Sequence, residues 1–222
     1  MTQHVYLYDT TLRDGAQTRG VTFSVKDKQR VAGWLDRLGV AYIEGGWPGA
    51  NPIDNEFFAA PPVLENAKLT AFGMTRRAQD KASDDKGLQK LVASKADAVC
   101  LVGKSWDYQV KAALGVTQTE NLRMIYDSVS YAEGQGKETM FDAEHFFDGF
   151  KANPAYALSC LSAAYDAGAS WIVLCDTNGG ALPHEIDQTV KAVRKALPKA
   201  ALAVHCHDDM GVAVANSIAA VQ

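Results

Sequence analysis

Short apolar, β-branched runs alternate along the chain with longer stretches whose apolar positions recur at helical spacing. The short runs are Val5–Tyr8, Tyr42–Glu44, Leu69–Gly73, Ala98–Val102, Thr139–Asp142, Trp171–Cys175 and Ala201–His205. Taken alone, each reads equally as a strand or as a piece of buried helix. The stretches between them decide in favour of strands. Lys26–Leu38 places Val31, Trp34, Leu35 and Leu38 on one stripe, with Ser24 as its N-cap. Leu122–Ala132 follows Thr119, a candidate cap, in the same way. Pro154–Ala167 opens with Asn153 and a proline at the first helical position, and Ile186–Leu197 stops at Pro198. Gly39 and Gly168 stand between a helix and a strand, the usual place of a left-handed C-cap.

Seven strand-then-helix units in succession predict a parallel sheet with helical crossovers. A doubly wound sheet and a TIM (β/α)8 barrel both have that order. Two observations favour the barrel. Arg13, Asp14, Glu44, Glu144, Asp176, Thr177, His205 and His207 all fall at the C-terminal ends of the predicted strands, where barrel enzymes gather their chemistry. No Gly-x-Gly-x-x-Gly follows the first strand, as a dinucleotide-binding sheet would require. An eighth strand is not found, and the chain stops inside an apolar helix, Val212 to Val221. The expectation is one catalytic barrel domain over residues 1–222, cut off after about seven units and incomplete at its C-terminus.

Composition narrows the picture further. Of the 222 residues, 47% are apolar and 22% charged, an ordinary globular balance. The net charge of -4 and the lack of a basic stretch argue against a nucleic-acid partner. No apolar run reaches the length of about 18 residues that a membrane span requires. Met1 to His4 has neither the basic flank nor the apolar core of a secretory signal. Cys100, Cys160, Cys175 and Cys206 form no C-x-x-C pair. They read as reduced, buried thiols of a cytoplasmic protein.

The sharpest chemical signal is His205-Cys206-His207. Alternate residues of a strand share a face, so the two imidazoles converge while Cys206 points away. In a barrel, Asp14 lies close by around the ring and supplies a carboxylate. Two histidines and one carboxylate, with positions left open, make a catalytic site for Mg²⁺, Mn²⁺, Zn²⁺ or Co²⁺. Without an ion, the same residues read as strand-end histidines bonded to nearby acids. Arg13 suits a substrate carboxylate or an enolate oxygen, or else a salt bridge to Asp9 or Asp14. Glu44 and Glu144 can relay protons or orient a keto group; equally, each can close off a strand. Thr177 offers a hydroxyl inside an Asn-Gly-Gly turn. Gly45 to Gly49, Gly-Gly-Trp-Pro-Gly, reads as a tight loop open to close approach by a ligand, with Trp47 and Trp106 as packing residues. Lys104 is a weaker candidate for a Schiff base. Non-haem iron oxygenases also use two histidines and a carboxylate, but on antiparallel jelly rolls.

Three segments together carry a family resemblance: Leu12-Arg13-Asp14-Gly15-Ala16-Gln17, Asp176-Thr177-Asn178-Gly179-Gly180, and His205-Cys206-His207-Asp208-Asp209-Met210-Gly211. The chain resembles the DRE-type TIM-barrel metallolyases, in the branch of the isopropylmalate, homocitrate and citramalate synthases. Gly45–Gly49, Val102–Asp107 and Asp142–Gly149 look most like the citramalate synthase-like group. The resemblance implies Asp14, His205 and His207 as metal ligands and Arg13 as the stabiliser of enolate and keto oxygens. It implies Glu44 and Glu144 as acids of the substrate site and Thr177 as a contact of the keto acid's carboxylate. Gln17 falls where the synthases carry glutamine and the related aldolases histidine. Implied too are a divalent metal, acetyl-CoA as co-substrate, a 2-oxo acid acceptor, branched-chain amino-acid biosynthesis, and a homodimer for a full-length member. The family's eighth strand, the residues implicated in deprotonating acetyl-CoA and the regulatory domain have no counterpart here. A fragment that binds metal and keto acid without turnover is the alternative.

Overall fold

Seven parallel strands lie side by side in the order in which they occur along the chain. The computed structural model describes residues 4–222; residues 1–3, which enter the reading of the N-terminal segment, lie outside it. The elements are β1 (Tyr8–Asp9), a 3-10 turn (Gly15–Gln17), α1 (Val25–Leu38), β2 (Tyr42–Gly46), α2 (Pro52–Ala59), β3 (Lys68–Met74), α3 (Lys86–Ala93) and β4 (Ala98–Lys104). A short α4 (Asp107–Gln109) runs into a π-helical turn (Val110–Leu114). Then come α5 (Gln118–Gly134), β5 (Glu138–Glu144), α6 (Phe146–Ala152), α7 (Pro154–Asp166), β6 (Trp171–Asp176), α8 (Pro183–Ala196), β7 (Leu202–Cys206) and α9 (Ala213–Val221).

Local chemistry explains most of the boundaries. Ser24 caps α1 reciprocally: its hydroxyl accepts from the Asp27 N–H, and the Asp27 carboxylate accepts from the Ser24 N–H. Asn51 and Asn153 each cap a helix that opens with proline. Thr117, not Thr119, caps α5, accepting from the Glu120 N–H at 3.1 Å. Gly39 and Gly168 take left-handed φ values of 86° and 103°. β1 begins only at Tyr8, leaving Val5, Tyr6 and Leu7 exposed, because β2 is its one paired neighbour. The strands β2 to β6 extend past their predicted ends toward the mouth. They are buried on both faces, as strands covered by helices must be.

The expected apolar stripe of α1 is buried only in part: Val31 and Leu35 pack against the core, but its other two members do not. Trp34 is 54% and Leu38 76% exposed, while Lys28, Ala32 and Asp36 are inside. These polar residues are buried because each has partners. The Asp36 carboxylate accepts the backbone N–H groups of Glu65, Asn66 and Ala67 at 3.0, 2.8 and 2.8 Å, fixing the entry into β3.

The sheet curls into a barrel. Tyr42, Phe72, Cys100 and Met140 fill its interior, with Tyr8, Val102 and Trp171 packed against them. Contacts cross that interior: the Tyr42 hydroxyl donates to Glu138 at 2.7 Å and the Trp171 indole to Tyr42 at 3.3 Å. Among the described residues β1 and β7 do not pair with each other, yet the curl brings the segments beyond them into contact. No helix among the described residues is long and apolar enough to cross a membrane. All four cysteines are free; Cys100, Cys160 and Cys175 are buried and Cys206 is half-buried.

Candidate metal centre and cleft

His205, on β7, and His207, just beyond it, stack their rings with centroids 5.0 Å apart. Cys206 turns to the other side, toward Ser217 of α9. Across the gap between β7 and β1, the Thr10 carbonyl accepts the N–H groups of Arg13 and Gly15, both at 3.1 Å, closing a turn that presents Asp14. Asp14 Oδ2 lies 3.3 Å from His205 Nε2 and 3.5 Å from His207 Nε2. One ligand atom from each of the three residues falls within 4.8 Å of the other two. The hydrogen bond with His205 holds the Asp14 carboxyl below its ordinary range. Burial disfavours charge on His205, but Asp14 and Asp142 outweigh it and raise its pKa well above the imidazole value. Asp208 takes no part, since its Oδ1 accepts from the Ala213 N–H and caps α9.

Arg13 is clamped. Its Nε donates to Glu44 Oε2 at 2.6 Å, its guanidinium carbon lies 3.8 Å over the Phe72 ring, and its Nη1 reaches Asp14 at 3.5 Å. Asp9 is not its partner, being engaged instead by the N–H and hydroxyl of Thr11. Glu44 is completely buried behind Arg13 and also accepts from the Tyr8 hydroxyl at 2.9 Å. Burial pushes its carboxyl up to about 7, against the pull of Arg13. Burial likewise opposes charge on Arg13, and the Glu44 carboxylate overcomes it, so Arg13 stays protonated. Glu44 therefore stands behind the cleft wall and acts through Arg13.

The cleft between these groups has a volume of about 290 Å³. Gln17, Trp47, Phe72, Met74, Val102, Lys104, Asp142, Glu144, Cys175 and Thr177 line it. Lys104 and Glu144 sit opposite each other in the β4–β5 register and form an ion pair. The Thr177 hydroxyl accepts from the His145 N–H at 2.8 Å, on a left-handed residue of φ 57°. Its proton is left free to donate into the cleft. The sequence pattern singles out neither Asp142 nor Tyr8, and offers Lys104 only as a Schiff-base lysine.

The glycine-rich loop has an internal cause. Its register against β3 skips Gly45, making a bulge. A Cβ on Gly45 would lie 2.6 Å from the Phe57 ring; one on Gly46, at φ 143°, would lie 2.6 Å from the Asp54 carboxylate. The close approach is thus made by the protein's own side chains, contrary to the expectation of a loop shaped for a ligand. Lys28 is buried against Asp54 and donates to the Gly45 carbonyl at 2.9 Å, while Asp54 accepts the Trp47 N–H at 2.9 Å. Trp47 is thereby held edge-on to Phe72, with centroids 5.6 Å apart, on the cleft wall. Trp106 packs beside Tyr108 and His145, as expected of a packing residue.

Two imidazole nitrogens and one carboxylate oxygen facing open space suit a hard or borderline divalent cation.

Residues 4–222 match the HMGL-like family model. The chain is 53% identical over its whole length to the (R)-citramalate synthase of Aquifex aeolicus, and 49% identical over 98% of it to that of Geobacter sulfurreducens. It spans only 42% and 41% of those proteins. The 2-isopropylmalate synthase of Solidesulfovibrio magneticus is 34% identical over 98% of the chain, which spans 42% of it. Among solved structures, the Bacillus subtilis HMG-CoA lyase superposes with a TM-score of 0.81 at 21% identity, over 98% of this chain and 73% of that one. The carboxyl transferase domain of Rhizobium etli pyruvate carboxylase gives 0.71 at 21% identity, over 98% and 38%. At such identities the likeness is one of fold.

Proposed function

Because the chain belongs to the HMGL-like family, we propose that it carries the acceptor site of a Claisen-type acyltransferase. Acetyl-CoA would be joined there to a 2-oxo acid, with pyruvate as acceptor and (R)-citramalate and CoA as products. The observation carrying this reading is the convergence of Asp14, His205 and His207 beside the clamped Arg13. The (R)-citramalate synthases at 53% and 49% identity support the choice of pyruvate over 2-oxoisovalerate.

Asp14, His205 and His207 would hold a divalent cation, Mn²⁺, Mg²⁺, Zn²⁺ or Co²⁺. When bound, it supplies Lewis-acid polarisation of the acceptor's keto group. The remaining work falls to side chains. Arg13, locked by Glu44 and Phe72, keeps its position while negative charge builds on the keto oxygen. Thr177 donates its free proton to the acceptor's carboxylate. The Lys104–Glu144 pair faces the same space, where Glu144 orients the acceptor and can exchange a proton with it. Trp47, Phe72, Met74 and Val102 border the acceptor's side chain. In the overall reaction a proton leaves the acetyl methyl group, a carbon–carbon bond forms to the keto carbon as its C=O π bond opens, the keto oxygen takes up a proton to become a hydroxyl, and water cleaves the thioester into a carboxylate and CoA.

The test measures CoA release from acetyl-CoA with pyruvate, 2-oxoisovalerate or 2-oxoglutarate, in this chain and in any longer polypeptide carrying it. Release with pyruvate, dependent on a divalent cation and lost in His207→Ala, is the expected result. Preference for 2-oxoisovalerate would make it a 2-isopropylmalate synthase instead. Silence with every acid, alongside calorimetric binding of Mn²⁺ and pyruvate, would support a binding fragment without turnover.

A further inference from the structure

The two ring nitrogens of His205 face different carboxylates. Nε2 lies 3.3 Å from Asp14 Oδ2, and Nδ1, on the opposite edge, lies 3.9 Å from Asp142 Oδ2. Asp142 is 6% exposed and sits on β5, two strands from the β7 residue it faces. In a barrel, alternate strands contribute side chains to the same layer, which explains the meeting. Among the described residues no lysine or arginine comes within ion-pair distance of Asp142; His205 is its one such partner. A carboxylate buried without a basic partner is costly, so its placement calls for a function of that imidazole.

We propose that Asp142 is a positioning residue for the cation site, accepting the Nδ1–H of His205 so that the Nε2 lone pair points at the ion. The inference rests on the cation reading given above. An imidazole that gives Nε2 to a cation carries its hydrogen on Nδ1, and a carboxylate facing that hydrogen fixes both tautomer and ring angle. At 3.9 Å the pair is longer than a hydrogen bond, and a small turn of either side chain closes it. A rival use of the same atoms exists, because Asp142, Cys175 and His205 also bring ligand atoms within 4.8 Å of one another. The two uses exclude each other. In the positioning role Cys175 contributes nothing to affinity, whereas in the rival it is a ligand.

Calorimetric titration of the chelator-stripped chain with Mn²⁺ separates them. Wild type binds, and Asp142→Leu binds about 10- to 100-fold more weakly. Asp142→Asn, which keeps an acceptor oxygen, recovers most of that loss, and Cys175→Ala leaves affinity unchanged. In the Zn²⁺-loaded protein, long-range ¹⁵N–¹H spectra show His205 as a single Nδ1–H tautomer, and Asp142→Leu loses it. Asp142→Ala carries the same expectations should leucine prevent folding. Undiminished affinity in the leucine and alanine variants, with binding still lost in His207→Ala, would overturn the positioning role and leave the cation site standing. A loss in Cys175→Ala as well as in Asp142→Leu, with His207→Ala still binding, would establish the rival. Absence of Mn²⁺ binding in wild type would bring down the cation reading itself, and this inference with it.

Discussion

Replacing Glu44 with glutamine removes one charge from the barrel interior and keeps one of the two oxygens to which Tyr8 and Arg13 separately donate, a loss that does not vary with pH. Burial raises the folded-state pKa of Glu44 from 4.5 to about 7. The folded protein therefore binds this proton more tightly than the unfolded chain does. The resulting stabilisation is complete below about pH 4.5, fades as pH rises, and is gone above about 7. A gap of about 2.5 units at about 1.36 kcal/mol each amounts to about 3 kcal/mol. Urea unfolding of wild type and Glu44→Gln, in chelator, at several pH values from 4 to 8 isolates this contribution, since other titrating groups cancel in the difference. Wild type should lose about 3 kcal/mol relative to the variant across that range. A difference that stays flat, or that grows in favour of wild type as pH rises, would refute the reasoning. The second outcome would mean that the attraction of Arg13 outweighs the burial of Glu44.

Lys28→Met leaves Asp54 buried without its cation and should cost about 3–5 kcal/mol in urea unfolding. Tryptophan emission should shift to the red as Trp47 loosens, and Lys28→Met/Asp54→Leu should regain a large part of the loss; equal stability in the two variants would count against an ion-pair role. Thr177→Val removes one hydrogen bond to a charged acceptor group, about 1.5–3 kcal/mol, and should raise the KM for the 2-oxo acid about 10- to 100-fold while Thr177→Ser stays near wild type.

The strand order was legible because β-branched runs and helical periodicity alternate so regularly; the strand ends were not. Glu144, Lys104 and Asp176 lie on strands although their polarity reads as loop, because ion pairs and hydrogen bonds at the mouth satisfy them. The helix α2 was readable, for Asn51-Pro52 repeats the signal of Asn153-Pro154. By contrast, α3 buries only Leu88 and Leu91, too few positions to show a period. α6 starts from a left-handed His145 without a side-chain cap, and its Phe146-Phe147 pair resembles a strand. In the site, the His-x-His spacing pointed to His205 and His207 without any knowledge of register. Asp142 could not be found that way, because only the curl of the sheet brings β5 to face β7.

The same curl makes Asp14 the most loosely anchored of the three candidate ligands. His205 belongs to β7, hydrogen-bonded along β6 from Leu202 to Cys206. Asp14 follows a two-residue strand with two paired positions and hangs from the Thr10 carbonyl. An ion held by Asp14, His205 and His207 would therefore tie together two edges that no backbone hydrogen bond joins among the described residues. Its binding energy would appear as closure of the barrel at that seam, about 2.7 kcal/mol at a hundredfold excess over Kd. Arg13 lies in the same turn as Asp14 and is held by Glu44 of β2 and Phe72 of β3. The Glu44–Arg13 contact thus ties to β2 the turn that carries both Arg13 and Asp14.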